Sequence, residues 1–206
     1  YVVHSNSLYF VNAADQRIYQ INLNSGECPL PITKDDKWRY ADIIIDNRSN
    51  RLIAVGESHN ERKDPENVIV AIGLDRFDQT FSKTEILVSG SDFFAYPRLS
   101  PSGNELCWLQ WQHPNMPWDQ SELVMADLTN YELTNARNII SNPNESLMQP
   151  HWAPNGDLYV ISDRSNWWNI YKIIPGNADG KYDLRPLMEM DAEFCAPLWQ
   201  LGAIRY

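Results

Sequence analysis

The sequence predicts an all-β chain, a β-propeller segment of about three complete four-stranded antiparallel blades plus two partial blades. Three observations predict it. Tyr96-Pro97-Arg98-Leu99-Ser100-Pro101-Ser102-Gly103 returns, with changes, as Gln149-Pro150-His151-Trp152-Ala153-Pro154-Asn155-Gly156. A repeat period of about fifty residues in a β-rich chain is the mark of a propeller. Each phrase runs straight into an apolar stretch, Glu105 to Trp111 and Asp157 to Ser162. Short runs rich in Val, Ile, Tyr and Trp alternate throughout with Gly, Pro, Asn, Asp and Ser clusters, and no segment carries convincing helical periodicity.

The runs group in fours, counted from the inside of a blade outward. Runs at 8–11, 18–23 and 28–32 are the second to fourth strands of a partial blade, residues 1–35. Runs at 40–46, 51–55, 68–74 and 85–88 fill a blade at 36–92. Those at 96–100, 105–111, 121–128 and 138–141 fill a blade at 93–145. Those at 149–153, 157–162, 169–174 and 184–188 fill one at 146–192. A run at 196–201 opens a second partial blade, 193–206. Matching Ala41, Pro97, Pro150 and Pro197 gives spacings of 56, 53 and 47 residues. The turns after the innermost strands follow from their residues. Pro101 and Pro154 preset φ, and Gly103 and Gly156 supply the positive φ that closes a tight turn. Asp46 to Asn50 uses Asx chemistry instead.

Composition bounds the function. The 206 residues are 43% hydrophobic and 12% aromatic, enough for a packed core. The formal net charge of -10 repels phosphate backbones, so nucleic acid is not expected as a partner. Cys28, Cys107 and Cys195 are odd in number and far apart, which fits neither a disulfide framework nor a zinc site. Such usage suits a reducing compartment and a cytoplasmic location, although a start at Tyr1 leaves a removed leader open. No apolar run reaches the length of a transmembrane helix, and no membrane partner is expected. Asn47-Arg48-Ser49 and Asn144-Glu145-Ser146 match the glycosylation acceptor pattern, a short motif that arises easily by chance.

Catalytic signals are missing from the sequence. There is no Gly-x-Ser-x-Gly elbow; Ser89-Gly90-Ser91-Asp92 lacks the glycines in register and leads into no helix. His4, His59, His113 and His151 mark no triad, no cluster has metal-ligand spacing, and no Gly-rich phosphate loop occurs. No catalytic residue, metal or cofactor is expected in the chain. Asp42 and Asp46 would be the only paired carboxylates for a sugar-active propeller, and Asp46 fits the turn better.

What remains is loop chemistry. The loops between second and third strands, 57–67, 112–120 and 163–168, are long and varied and emerge on one face of an up-and-down blade. Varied loops on a rigid scaffold are where binding usually sits. The substrate-facing candidates are Glu57, His59, Arg62, His113, Asn115, Trp118, Arg164 and Trp167. Each has a plain structural alternative. His59 and its polar neighbours contact a peptide or form a solvated loop. His113 lines a path or stabilises its loop. Trp118 is an aromatic wall or a clamp between blades. Arg164 holds a substrate carboxylate or pairs with Asp163.

Four stretches carry a family resemblance: His113-Pro114-Asn115-Met116-Pro117-Trp118-Asp119 with Glu122-Leu123, Trp38-Arg39-Tyr40-Ala41-Asp42, Ser162 to Tyr171, and Ala192-Glu193-Phe194. In this order and spacing they resemble the N-terminal propeller of the prolyl oligopeptidase family of serine peptidases, in its bacterial acylaminoacyl-peptidase and dipeptidyl-aminopeptidase-like branch. The resemblance implies a propeller that gates access of short peptides to a C-terminal α/β-hydrolase domain carrying a Ser-Asp-His triad. That domain and short peptides are the implied partners, and the chain itself departs from the family in lacking the catalytic half. An incomplete propeller would also expose strand edges that invite self-association. The rival expectation is a non-enzymatic propeller of the TolB or WD-repeat kind, serving as a protein-interaction scaffold.

Overall fold

The computed structural model describes residues 1–34, 37–59, 64–75, 81–176 and 180–205. Among them there is no helix; sixteen strands form four sheets, each a four-stranded antiparallel meander. The chain divides into two compact units, Tyr1–Gly90 and Ser91–Tyr206.

The first unit holds two sheets. One is β1 (Val2–His4), β2 (Ser7–Val11), β3 (Ile18–Asn22) and β4 (Leu30–Pro31). The other is β5 (Trp38–Asp46), β6 (Arg51–Ser58), β7 (Glu66–Gly73) and β8 (Thr84–Val88). The middle strands β6 and β7 are almost continuously apolar because both their faces are covered. Their outer neighbour β8 reads Thr-Glu-Ile-Leu-Val, and none of its residues is buried. Tyr9, Ile18 and Ile32 of the first sheet region pack with Tyr40, Leu52, Val68, Val70 and Ile72 of the second.

The second unit repeats the plan. Its sheets are β9 (Phe93–Leu99), β10 (Glu105–Trp111), β11 (Glu122–Thr129) and β12 (Glu132–Ile140), then β13 (Leu147–Trp152), β14 (Leu158–Ser162), β15 (Asn169–Pro175) and β16 (Tyr182–Pro186). Cys107, Leu109, Leu123 and Met125 from one sheet share a core with Leu147, Met148, Val160, Ile161 and Tyr171 from the other. Hydrogen bonds also tie the two sheet regions together. The Ser121 hydroxyl bonds Leu147, and the Trp152 indole N–H donates to the Arg98 carbonyl at 3.3 Å.

The repeated phrase marks a β-bulge. Pairing of β9 with β10 jumps from Arg98↔Cys107 to Ala95↔Leu109, so Tyr96 and Pro97 face one residue, Trp108. Gln149 and Pro150 face Val160 in the same way, and Asp42 and Ile43 face Ala54. The first residue of each bulge is left-handed: φ is 51° at Asp42, 52° at Tyr96 and 49° at Gln149. The extra residue of a bulge is unpaired, so a proline there removes no ladder bond. This corrects the register read from sequence. Ile43, rather than Ala41, corresponds to Pro97 and Pro150, and the spacings become 54 and 53 residues.

The turns form as their residues dictate. Gly103 N–H donates to Ser100 O at 2.8 Å and Gly156 N–H to Ala153 O at 2.9 Å, with φ of 69° and 87° at the glycines. Asp46 accepts from Ser49 N–H at 3.2 Å in the turn and from Arg51 Nε at 2.9 Å in the buried interior of its own hairpin. Asp46 is therefore committed to its turn, which removes the carboxylate pair a sugar-active propeller would need.

Two expectations change. Val2–His4 supplies the missing inner strand of the first sheet, so four sheets are complete where three were expected. With three residues it is too short for any periodicity. Residues 196–201 form no strand. Pro197 offers no N–H, and Trp199 N–H turns back to Pro197 O at 2.9 Å, bending the chain where a ladder would require it extended.

Candidate functional site

The loop candidates fall into separate local settings. In the first unit, Glu57 lies in the strand β6 itself rather than in the following loop, paired with Arg39 and Asn67. The His59 ring nitrogen Nε2 sits 2.8 Å from Glu57 Oε2, and its backbone N–H donates to Lys37 O. His59 and Glu57 thus form one half-exposed polar pair. Arg62 lies outside the described residues.

In the second unit, the loop after β10 is built on Asp92. Its carboxylate accepts from His113 N–H at 2.9 Å, and the His113 ring meets Phe93 edge-on at 4.8 Å. The His113–Pro114 peptide bond is cis. Asn115 Nδ2 donates to Gln120 Oε1 at 2.9 Å, and both residues line a cavity of about 90 Å³ with Trp111, Gln112, Ser121 and Glu122. Glu122 is held there by Ser141 Oγ and Gln110 Nε2. Trp118 packs on the core, and its ring lies 4.6 Å from that of Trp199, which is 75% exposed. Asp119 accepts from Met116 N–H at 2.8 Å, closing the loop on itself.

Arg164 stands over a different cavity, a polar groove of about 440 Å³ between β12 and β16 lined also by Asn138, Asn142, Tyr182 and Asp183. Its partner is not Asp163. Arg164 Nε and Nη2 reach the two carboxylate oxygens of Glu145 at 2.9 and 3.2 Å, and the guanidinium lies over the Tyr171 ring. Asp163 instead accepts from Ser146 N–H at 2.8 Å. Adjacent side chains of a tight turn diverge, and Asn166 N–H bonding to Asp163 O makes 163–166 such a turn. Trp167 is exposed just after that turn, its carbonyl accepting from Ser165 and Asn169.

Glu145 is the residue that sequence reasoning missed. Its side chain is 6% exposed, and it also accepts from Ser162 Oγ at 2.5 Å and from Asn142 Nδ2. Burial pushes its carboxyl pKa up, but the bonds from Arg164, Ser162 and Asn142 outweigh that and leave it lowered. Asp163 moves the other way, raised chiefly by burial. The only sequence sign of Glu145 was an acidic residue in a glycosylation-like tripeptide. Its partners Ser162 and Arg164 lie a whole hairpin away.

Chemically, these settings are hydrogen-bonded and ion-paired within the chain itself, and no nucleophile–base–acid relay is assembled by the described residues. Among them no group of three or more His, Cys, Asp or Glu side chains could hold a metal ion. Among the described residues no helix is long and apolar enough to cross a membrane.

Comparison with known proteins supplies the family context. No family model matches the chain, and no curated protein matches it. Among solved structures, a puromycin-hydrolyzing peptidase from Mycobacterium tuberculosis is 31% identical, with a TM-score of 0.84 over 98% of this chain and 32% of its own. A puromycin hydrolase is 30% identical, with a TM-score of 0.82 over 95% of this chain and 31% of its own. TolB from Acinetobacter baumannii, at 16% identity and a TM-score of 0.57, shares the fold alone. The chain spans about a third of the length of the two hydrolases. The resemblance carried by the four motif stretches is thereby borne out: over nearly its whole length this chain is a counterpart of the propeller portion of puromycin-hydrolyzing peptidases of the prolyl oligopeptidase family.

Proposed function

We propose that this chain is the substrate-gating propeller of a serine peptidase that hydrolyses short peptides, working with an α/β-hydrolase domain of the same parent protein. The observation that carries the reading is the match of 98% of the chain to about a third of a peptidase, at 31% identity. The loops after β6, β10 and β14 would then supply the peptide contacts, with His59, Glu57, His113, Asn115, Trp118 and Trp167 available and Arg164 committed to Glu145. Three free thiols support a reducing compartment. Exposed apolar side chains at Leu187, Met188, Trp199 and Ile204 support association with further protein surface, including a second copy.

The scaffold reading rests on TolB likeness, which reaches no further than fold. One experiment separates the two. A fluorophosphonate probe and an aminoacyl anilide should label and be cleaved by the parent protein, while the purified chain does neither. A parent inert to both reagents would overturn the peptidase reading, and cleavage by the chain alone would overturn its role as a gate.

A further inference from the structure

We propose that the cavity beside the loop after β10 is a site for the guanidinium group of a peptide arginine, with Glu122 as its counter-charge. Glu122 opens β11 between two donors. Gln110 Nε2, directly across the pairing with β10, donates to its Oε2 at 3.1 Å. The Ser141 hydroxyl, just after β12, donates to its Oε1 at 2.7 Å. Gln110 is itself oriented by the indole N–H of buried Trp108, which donates to Gln110 Oε1 at 3.0 Å. A relay of neutral groups thus fixes the carboxylate in place. The two donors leave lone pairs free on both oxygens, since a carboxylate offers about four acceptor sites. Among the described residues no lysine, arginine or histidine pairs with Glu122.

The rest of the cavity suits a planar cation with several donors. Its volume of about 90 Å³ is room for several waters, more than a single ammonium nitrogen fills. Trp111 supplies an aromatic wall, its ring kept in place by stacking on Phe93 at 5.3 Å. Asn115 Nδ2 donates to Gln120 Oε1, and among the described residues nothing donates to the Asn115 side-chain oxygen. Ser121 and Gln112, which also line the cavity, are taken up by Leu147 and by the Asp92 N–H. Guanidinium carries five N–H donors in one plane, pairs with a carboxylate through two parallel bonds and stacks on aromatic rings. An ammonium group gathers its three donors at one point, and a neutral amide brings no charge to Glu122.

The inference goes beyond the peptidase reading and does not depend on it, because binding is read without hydrolysis. N-acetyl-arginine N-methylamide, titrated into the whole parent protein and followed by saturation-transfer NMR, should bind with a Kd on the order of millimolar, as for one side-chain head in one pocket. The citrulline counterpart, its uncharged isostere, and the lysine counterpart should each bind at least tenfold more weakly. Glu122→Gln keeps the shape and removes the charge, and should weaken the arginine ligand at least tenfold. Glu132→Gln, an exposed acid at the far end of β12, should leave it unchanged and so controls for general acidity. Should Glu122→Gln fail to fold, as thermal melting would show, Gln120→Glu replaces it. That variant keeps the bond from Asn115 and adds a second carboxylate, so binding should tighten at least threefold. Equal binding of the arginine and citrulline ligands, tighter binding of the lysine ligand, or unchanged binding in Glu122→Gln or Gln120→Glu would each overturn the proposal. The peptidase reading would survive any of these results, since it is tested by the fluorophosphonate probe.

Discussion

Ser121 and Leu147 exchange a reciprocal pair of hydrogen bonds: the serine hydroxyl donates to Leu147 O at 3.1 Å and accepts from Leu147 N–H at 2.8 Å. Both residues are fully buried. A side chain here does the work of a neighbouring strand at the point where β13 begins. Ser121→Ala leaves a buried N–H and a buried carbonyl unmatched, so we expect a loss of about 2–6 kcal/mol, at 1–3 kcal/mol for each orphaned group. Urea unfolding of the two proteins measures it, and a loss below 1 kcal/mol would show that water repairs the gap.

Much of this framework was legible in the sequence. The Pro97 and Pro150 phrases gave blade period, turn positions and the apolar inner hairpins, because proline and glycine act locally and identically in each copy. The exact match between copies was not legible at Ala41, since the first blade builds its bulge with Asp42 and Ile43 and has no proline to mark it. The outer strand β12 was read as only 138–141; its first residues, Glu132 to Arg137, are mostly exposed and lack an apolar rhythm. Of the candidate site, the varied loops were legible. The Glu145–Arg164 pair was not, because pairing across a hairpin leaves no local spacing.

Glu145 sets an acid limit on stability. Its folded pKa lies below the ordinary 4.5, so its contribution is complete above that value and is lost as the pH falls through the folded pKa. Asp163, raised in the fold, contributes in the opposite sense: its share is present at low pH and is lost as the pH rises through its raised value. Glu145→Gln should lose on the order of 2–3 kcal/mol near neutral pH, at the low end for a broken buried pair because Arg164 keeps 29% exposure. It should also lose less further stability than wild type between about pH 6 and pH 3. Denaturant titrations at several pH values check both; parallel pH curves for the two proteins would refute the assignment.

Thiol reactivity should separate the cysteines. Cys28 is exposed, whereas burial pushes the thiols of Cys107 and Cys195 up to about 12. The thiolate is the attacking species, so a disulfide reagent at mild alkaline pH should modify Cys28 first. Cys195 should follow slowly and Cys107 only upon unfolding. Peptide mass mapping after timed quenching gives the order.

Gly56 is required by contact. A Cβ there would lie 3.0 Å from Val70 Cγ1 and 3.3 Å from Trp38 Cζ3, side chains of the strands on either side of β6. Gly56→Ala should cost about 1–3 kcal/mol, the range for overpacking a tight core. Val70→Ala in the same chain should recover part of that loss, a coupling a double-mutant cycle reads directly. Additive losses would place the strain elsewhere.

The three bulges carry Asp42, Tyr96 and Gln149 on one and the same backbone kink: an acid, a phenol and an amide. None of the three is glycine, though glycine would fit most easily. The kink thus behaves as a standard fitting that accepts interchangeable heads. A strand can therefore keep its kink while the side chain it presents there changes from an acid to a phenol to an amide.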